Sequence, residues 1–177
     1  MKKLSHKRNF FFLLLLFSNC LFLPNNLKAA QVLDSMHYGW AVYEYQDDDQ
    51  DKARKKCYIA TTPYKSDTSY TGIRNPYLSI TRYAKKRSEE ISIYSGYEYK
   101  ISSNVNLLIG DMQKTLFTKG DSAWANNGNE DKEIIKLMLN NEYIKVRSDS
   151  STGNYAIDEY ETKGLARAYA RMKKICQ

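Results

Sequence analysis

From Trp40 to Ala125 the chain is a succession of short runs in which apolar and polar residues alternate, each run closed by a turn. A period of two puts every second side chain on the same face of an extended strand. Such runs, so short and so often interrupted, predict an all-β sandwich or barrel. Trp40 to Tyr45 and Cys57 to Thr61 open the series. Pro63 to Pro76 is a polar loop punctuated by Gly72. In Tyr77 to Tyr83, Leu78 and Ile80 share a face, as do Ile91 and Ile93 in Glu90 to Tyr94. Tyr97, Tyr99 and Ile101 alternate again, and Val105, Leu107 and Ile109 follow. Lys114 to Phe117 and Ser122 to Ala125 end the series.

The pattern changes after Trp124. Asn127-Gly128-Asn129 is turn chemistry, and Asn129 is placed to cap a helix with Glu130 and Asp131 near its positive end. Ile134, Ile135, Met138 and Leu139 fall on one face of that helix, and Asn140-Asn141 stops it. Tyr143 to Arg147 and Tyr155 to Tyr160 return to strand, around a polar loop from Ser148 to Asn154. Thr162 then caps a closing helix in which Leu165, Tyr169, Met172 and Cys176 form one stripe, so Cys176 faces the β core.

The N-terminus reads as a separate unit. Lys2, Lys3, Lys7 and Arg8 precede an apolar run from Phe10 to Leu23, ended by Pro24 and followed by Leu27, Lys28, Ala29 and Ala30. A basic start, a short apolar core and a small-residue site make a secretory signal over residues 1–30. The apolar run falls short of the roughly 20 residues a membrane span needs. Cleavage after Ala29 is preferred, since cleavage after Ala30 leaves Lys28 three residues upstream. Asn19 stands where a lipobox needs a small residue, so Cys20 is read as an apolar passenger and not a lipid anchor.

Residues 31–177 then form a single domain, a mainly β sandwich with two helices. Removing the signal changes the charge argument. The chain is +7 overall, but residues 1–30 hold five of its 27 basic residues and none of its 20 acids. The remainder is +2, which withdraws the main support for a nucleic-acid partner. No later stretch approaches a membrane-spanning length, so no stable transmembrane segment is expected after cleavage. All 15 tyrosines lie in this domain. Tyrosine suits strands, and on a surface it supplies large contact area at low entropic cost.

Two cysteines remain, Cys57 and Cys176. In an oxidising compartment an even pair reads first as a disulfide, with two buried thiols as the alternative. The search for catalysis is mostly negative. His37 is the single histidine beyond the signal, near the new N-terminus, so a Ser-His-Asp triad would have to use it. There is no phosphate loop, nucleophile elbow, HExxH or CxxC. Asp47, Asp48, Asp49 and Asp51 resemble a calcium loop, but Lys52 and Tyr58 occupy the positions that need glycine and glutamate. No catalytic residue, cofactor or metal site is therefore assigned. The adjacent acids Glu89-Glu90 and Asp158-Glu159 are the material for the alternative, a periplasmic hydrolase or cell-wall enzyme. Trp40 and Trp124 are read as core residues before they are read as a ligand platform.

Several segments together resemble the invasion-associated locus B family of exported bacterial proteins. They are Tyr38-Gly39-Trp40, Lys56 to Ala60, Tyr77 to Arg82, Ile91-Ser92 through Gly96-Tyr97, and Phe117 to Trp124. The helix Asp131 to Leu139, the loop Ser148 to Gly153, Asp158-Glu159-Tyr160 through Gly164, and Ala168 complete the order. The resemblance implies an immunoglobulin-like β-sandwich with appended helices, in the periplasm or cell envelope or at the surface. It implies for some members a link to the invasion of host cells, and a protein partner, an envelope or host component, is expected. It carries no catalytic motif to transfer. This chain has fewer cysteines than some members, which leaves its disulfide scheme open.

Overall fold

The computed structural model describes residues 30–46 and 55–177. The export segment, Cys20 and the acidic stretch from Asp47 to Asp51 lie outside the described residues. Among the described residues eleven strands form one continuous antiparallel sheet. In chain order they are β1 (Ala30–His37), β2 (Trp40–Gln46), β3 (Lys56–Thr61), β4 (Lys65–Thr68), β5 (Tyr77–Tyr83), β6 (Ser88–Tyr94), β7 (Asn104–Ile109), β8 (Met112–Lys119) and β9 (Ser122–Trp124). Helix α1 (Gly128–Leu139) follows, then β10 (Tyr143–Asp149), β11 (Tyr155–Glu161) and helix α2 (Leu165–Ile175). The spatial order is β1-β2-β3-β5-β6-β9-β8-β7-β10-β11-β4.

The sheet folds over at the short strand β9, so that its two halves face each other as the layers of a sandwich. Val42, Ile59, Leu78, Ile80, Ile91 and Ile93 line the inner face of one half. Val105, Leu107, Ile109, Leu116, Ile144 and Val146 line the other, and all twelve are fully buried. Each such side chain contributes about 1.5–3 kcal/mol through burial alone. The halves are tied at their far ends. β4 lies between β3 and β5 in the chain but pairs with β11 at the opposite edge. Trp40, a core residue as read from the sequence, donates its indole N–H to the Glu161 carbonyl at 3.0 Å.

A buried ion pair completes this closure. Arg74 Nη2 lies 2.6 Å from Asp158 Oδ2, with the two side chains 6% and 1% exposed. Arg74 also donates through Nε to the Ser95 carbonyl at 2.8 Å, and its guanidinium faces the Tyr97 ring. Ser66 on β4 donates to Asp158 Oδ1 at 2.5 Å. Loop 69–76 is thereby strapped to both halves. Tyr97 and Tyr99 plug the same end, bonded to Ser148 and Ser95. Their spacing suggested a strand through Ile101. They are instead loop residues, anchored through their hydroxyls, and Ile101 is 89% exposed.

The helices finish the edges. β9 is three residues long and leaves β6 uncovered beyond Ser92. Asp131 of α1 takes over, its Oδ1 accepting the Ile91 N–H at 2.9 Å. Asn127, not Asn129, is the N-cap, accepting from the N–H groups of Asn129 and Glu130. α2 packs on β1, β2 and β3 with Leu165, Ala168 and Met172 buried and Tyr169 half-buried against them. Its start is set by Gly164 and not by Thr162, whose hydroxyl donates to the Asn141 carbonyl. Gly164 has φ +93°, and a β-carbon there would run into the His37 carbonyl, so only glycine fits.

Candidate functional site

The outward faces of the two half-sheets differ in chemistry. On the β7-β10-β11-β4 side the row Leu108–Lys145–Glu159–Lys65 is mostly charged. Glu159 lies 3.3 Å from Lys145 and 3.7 Å from Lys65, and it accepts the Tyr64 hydroxyl at 2.8 Å. Arg147 pairs with Asp149 at 3.4 Å. These contacts make an ordinary solvated surface, in which each ion pair contributes little.

The other outward face is aromatic and almost uncharged. Successive registers align Met36, Ala41, Ala60, Ser79, Ser92, Trp124 and Phe117 in one row across seven strands. The middle of the row is small: two alanines and two serines, with Ser79 Oγ 2.8 Å from Ser92 Oγ. Larger rings stand on either side. Tyr43 and Tyr58, partners in the next row, stack at 4.8 Å with planes 19° apart. Tyr77 and Tyr94 face each other at 5.1 Å across the row beyond. Phe117 and Trp124 close one end at 5.8 Å. Ala41 and Ser79 are 7% and 5% exposed although they point outward, because the tyrosines rise above them. The tyrosine rings therefore make up most of the surface this face presents.

Tyr58 and Tyr77 act here as neutral groups. Burial pushes the Tyr58 phenol up to about 12, and the neighbouring Tyr43 and Tyr77 add to the effect. Tyr77 is raised for the same first reason, with Asp121 and Tyr94 contributing. Lys56, over the Tyr45 ring at 4.2 Å, Glu90 and Lys119 bring charge to the neighbouring rows. The tyrosine content was the signal for this face. Trp124, read as core, stands on it half-buried.

The residues singled out for catalysis are distributed otherwise. His37 is not on a loose chain end but closes β1, where its Nε2 lies 3.3 Å from Ser35 Oγ. Ser35 donates in turn to Asp34 Oδ2 at 2.8 Å. A triad needs histidine between serine and carboxylate. Here the serine stands between, and Asp34 is gripped by Arg171 through Nε at 2.8 Å and Nη2 at 2.6 Å. Glu89 pairs with Arg82 on the inner side of β6, while Glu90 points outward. Asp158 is buried against Arg74, and Glu159 faces solvent on the other side of β11. Strand alternation thus separates the members of each acidic pair. Among the described residues no three His, Cys, Asp or Glu side chains gather into a metal-holding group. Cys57 on β3 and Cys176 after α2 stand at disulfide distance, with Cα atoms 5.8 Å apart.

No protein-family model and no curated protein sequence matches the chain. The comparison that decides the fold is with a solved structure. The fold is similar to that of invasion associated protein B from Bartonella henselae. The two superpose with a TM-score of 0.56 at 11% identity, over 81% of this chain and 98% of the other. At that identity the likeness establishes the architecture, a β-sandwich with appended helices, and agrees with the resemblance read from the sequence.

Proposed function

We propose that this chain is an exported, non-enzymatic protein of the invasion-associated locus B type, which acts by binding a protein or envelope component. The observation that carries the reading is the contrast between the two outward faces. One is tied up in ion pairs, while the other offers stacked tyrosines around a neutral row. Tyrosine and tryptophan are enriched where proteins meet their partners. The cysteine pair at disulfide distance and the signal-like N-terminus support a location in the periplasm, envelope or beyond. No described helix is long and apolar enough to cross a membrane. The neighbour's name, invasion associated protein B, is what motivates a role in invasion.

The test is capture from intact bacteria and host-cell surfaces with residues 31–177 as bait. Its material should match the envelope-fraction protein, whose intact mass should begin within a few residues of Gln31. A full-length or lipid-modified mass would overturn the export reading. Changing Tyr43, Tyr77 and Tyr94 together to serine should abolish capture while the protein stays folded. Tyr143→Ala on the charged face, and His37→Ala, should leave capture intact. A folded His37→Ala protein without biological activity would sink the binding reading and revive an enzyme.

A further inference from the structure

Residues 31–177 are close to neutral overall, yet the fold gathers Lys55, Lys56, Lys85, Lys86, Arg87, Lys173 and Lys174 at one end of the sandwich. We propose that this basic end docks on an anionic bilayer surface, independently of the tyrosine face.

By itself Lys85-Lys86-Arg87 is an ordinary solvated turn. It joins β5 to β6, with the Arg87 N–H on the Ala84 carbonyl at 3.3 Å and all three cations exposed. The Ala84 N–H donates to the Lys55 carbonyl at 3.1 Å, which sets Lys55 and Lys56 at the start of β3 alongside. α2 supplies the rest. It starts at the other end of these strands, where Gly164 meets the His37 carbonyl. It ends at Cys176, whose carbonyl accepts from Arg82 Nε at 3.4 Å. Its last turn thus delivers Lys173 and Lys174, both exposed, to the same end. The acids nearby are engaged or set back. Glu44 pairs with Lys55 at 3.0 Å, Glu89 pairs with Arg82, and Glu90 stands behind the turn on β6, opposite Thr81. Lys85, Lys86, Arg87, Lys173 and Lys174 have no acid among the described residues within ion-pair distance.

The number, kind and shape of these cations select the partner. Clusters of about four to eight lysines and arginines are drawn to anionic headgroups by the negative potential of the bilayer. All but Arg87 are lysines. Lysine is a compact, hydrated point charge on a flexible stem, which suits a fluid field of headgroups. Fixed recognition of a phosphate or sulfate favours the bidentate fork of arginine. The cations also stand on projecting pieces of the fold: a hairpin turn, the start of a strand and the end of a helix. A single-stranded nucleic acid needs a basic groove with aromatic rings on which its bases stack. A flat surface needs only cations that project from one end.

The experiment sediments residues 31–177 with vesicles of phosphatidylcholine, and with vesicles of a two-to-one mixture of phosphatidylcholine and phosphatidylglycerol. Binding should be confined to the anionic vesicles and be lost between about 50 and 500 mM salt, as surface charge is screened. Each cation near such a surface strengthens binding about fivefold, so Lys85→Gln, Lys86→Gln and Arg87→Gln together should weaken it by about a hundredfold. Adding Lys173→Gln and Lys174→Gln should weaken it further. Lys100→Gln with Lys119→Gln, on loops at the opposite end, should change nothing. All these side chains are exposed, and an unchanged melting temperature confirms that each variant folds. Failure to bind the anionic vesicles, equal binding to neutral ones, or indifference to the five substitutions would overturn the proposal. So would tighter binding to heparin or single-stranded DNA than to the vesicles. Vesicle binding that appears only when Asp47, Asp48, Asp49 and Asp51 are replaced by asparagine would overturn it too, since the cluster would then serve its own chain. Capture through Tyr43, Tyr77 and Tyr94 is scored separately, so each reading stands or falls alone.

Discussion

Asp34 stands at the irregularity where β1 shifts register against β2, and it reaches across to α2. The Arg171 guanidinium is the main reason its carboxyl lies at about 2 in place of 3.8, with Ser35 helping and burial opposing. A lowered folded-state value means that protonation costs the folded chain more than the unfolded one. The contact therefore contributes fully above about pH 4, and its contribution is lost as pH falls toward 2. Arg171 is 40% exposed, so screening keeps the effect small. Asp34→Asn should lower the melting temperature near neutrality, and the gap to the unchanged protein should close in acid. A gap independent of pH would show that the pair contributes nothing through charge. Nothing in the sequence announced this contact. The two residues are 137 positions apart, and β1 carries no buried alternation to mark it as a strand, since its apolar residues Val32, Leu33 and Met36 stay exposed.

At the level of elements, the two helices and the strands with a buried apolar alternation were legible, because burial on one face is what a period records. The stripe Leu165, Tyr169, Met172 and Cys176 correctly placed the last cysteine against the sheet. β4 was not legible. All four of its residues are exposed, and it is a strand only because its backbone pairs with β11. The C-terminus of α2 meets β3 at the cysteine pair, whose members are 119 positions apart in the chain and 5.8 Å apart at Cα. Non-reducing peptide mapping should find the Cys57 and Cys176 peptides joined. The chain-entropy account puts the gain at about 4–5 kcal/mol. Cys57→Ala with Cys176→Ala should therefore lower the melting temperature sharply. Two alkylatable thiols in the native, oxidised protein would refute the bridge.

Across the whole molecule, the Arg74–Asp158 pair is the point where loop 69–76, β4, β6 and β11 converge. Removing one member leaves the other charged in a dry site, which costs about 3–5 kcal/mol. Replacing both by apolar residues costs far less. In urea unfolding, Arg74→Met and Asp158→Leu should each be strongly destabilising, and the double variant should recover much of the loss. Additive effects would mean that the two groups do not act as a pair. The candidate site obeys the same logic of convergence, which is why the sequence showed only its tyrosine content. Ala41, Ala60, Ser79 and Ser92 are commonplace residues, and only the register of four strands sets them side by side between the tyrosines.

The way the sandwich closes also sets an order in time. β4 waits for β11, Trp40 for the carbonyl of Glu161, and Cys57 for Cys176. A chain delivered N-terminus first can zip β1, β2, β3, β5 and β6 together early, since each pairs with a near neighbour. Their inner face then stays wet until the last strand and helix arrive. Folding governed by such distant contacts is slow, and its half-made forms are exposed to proteases and to one another. The final residues of this protein thus work as a latch, and a nascent chain without them is a client for whatever guards unfinished sheets.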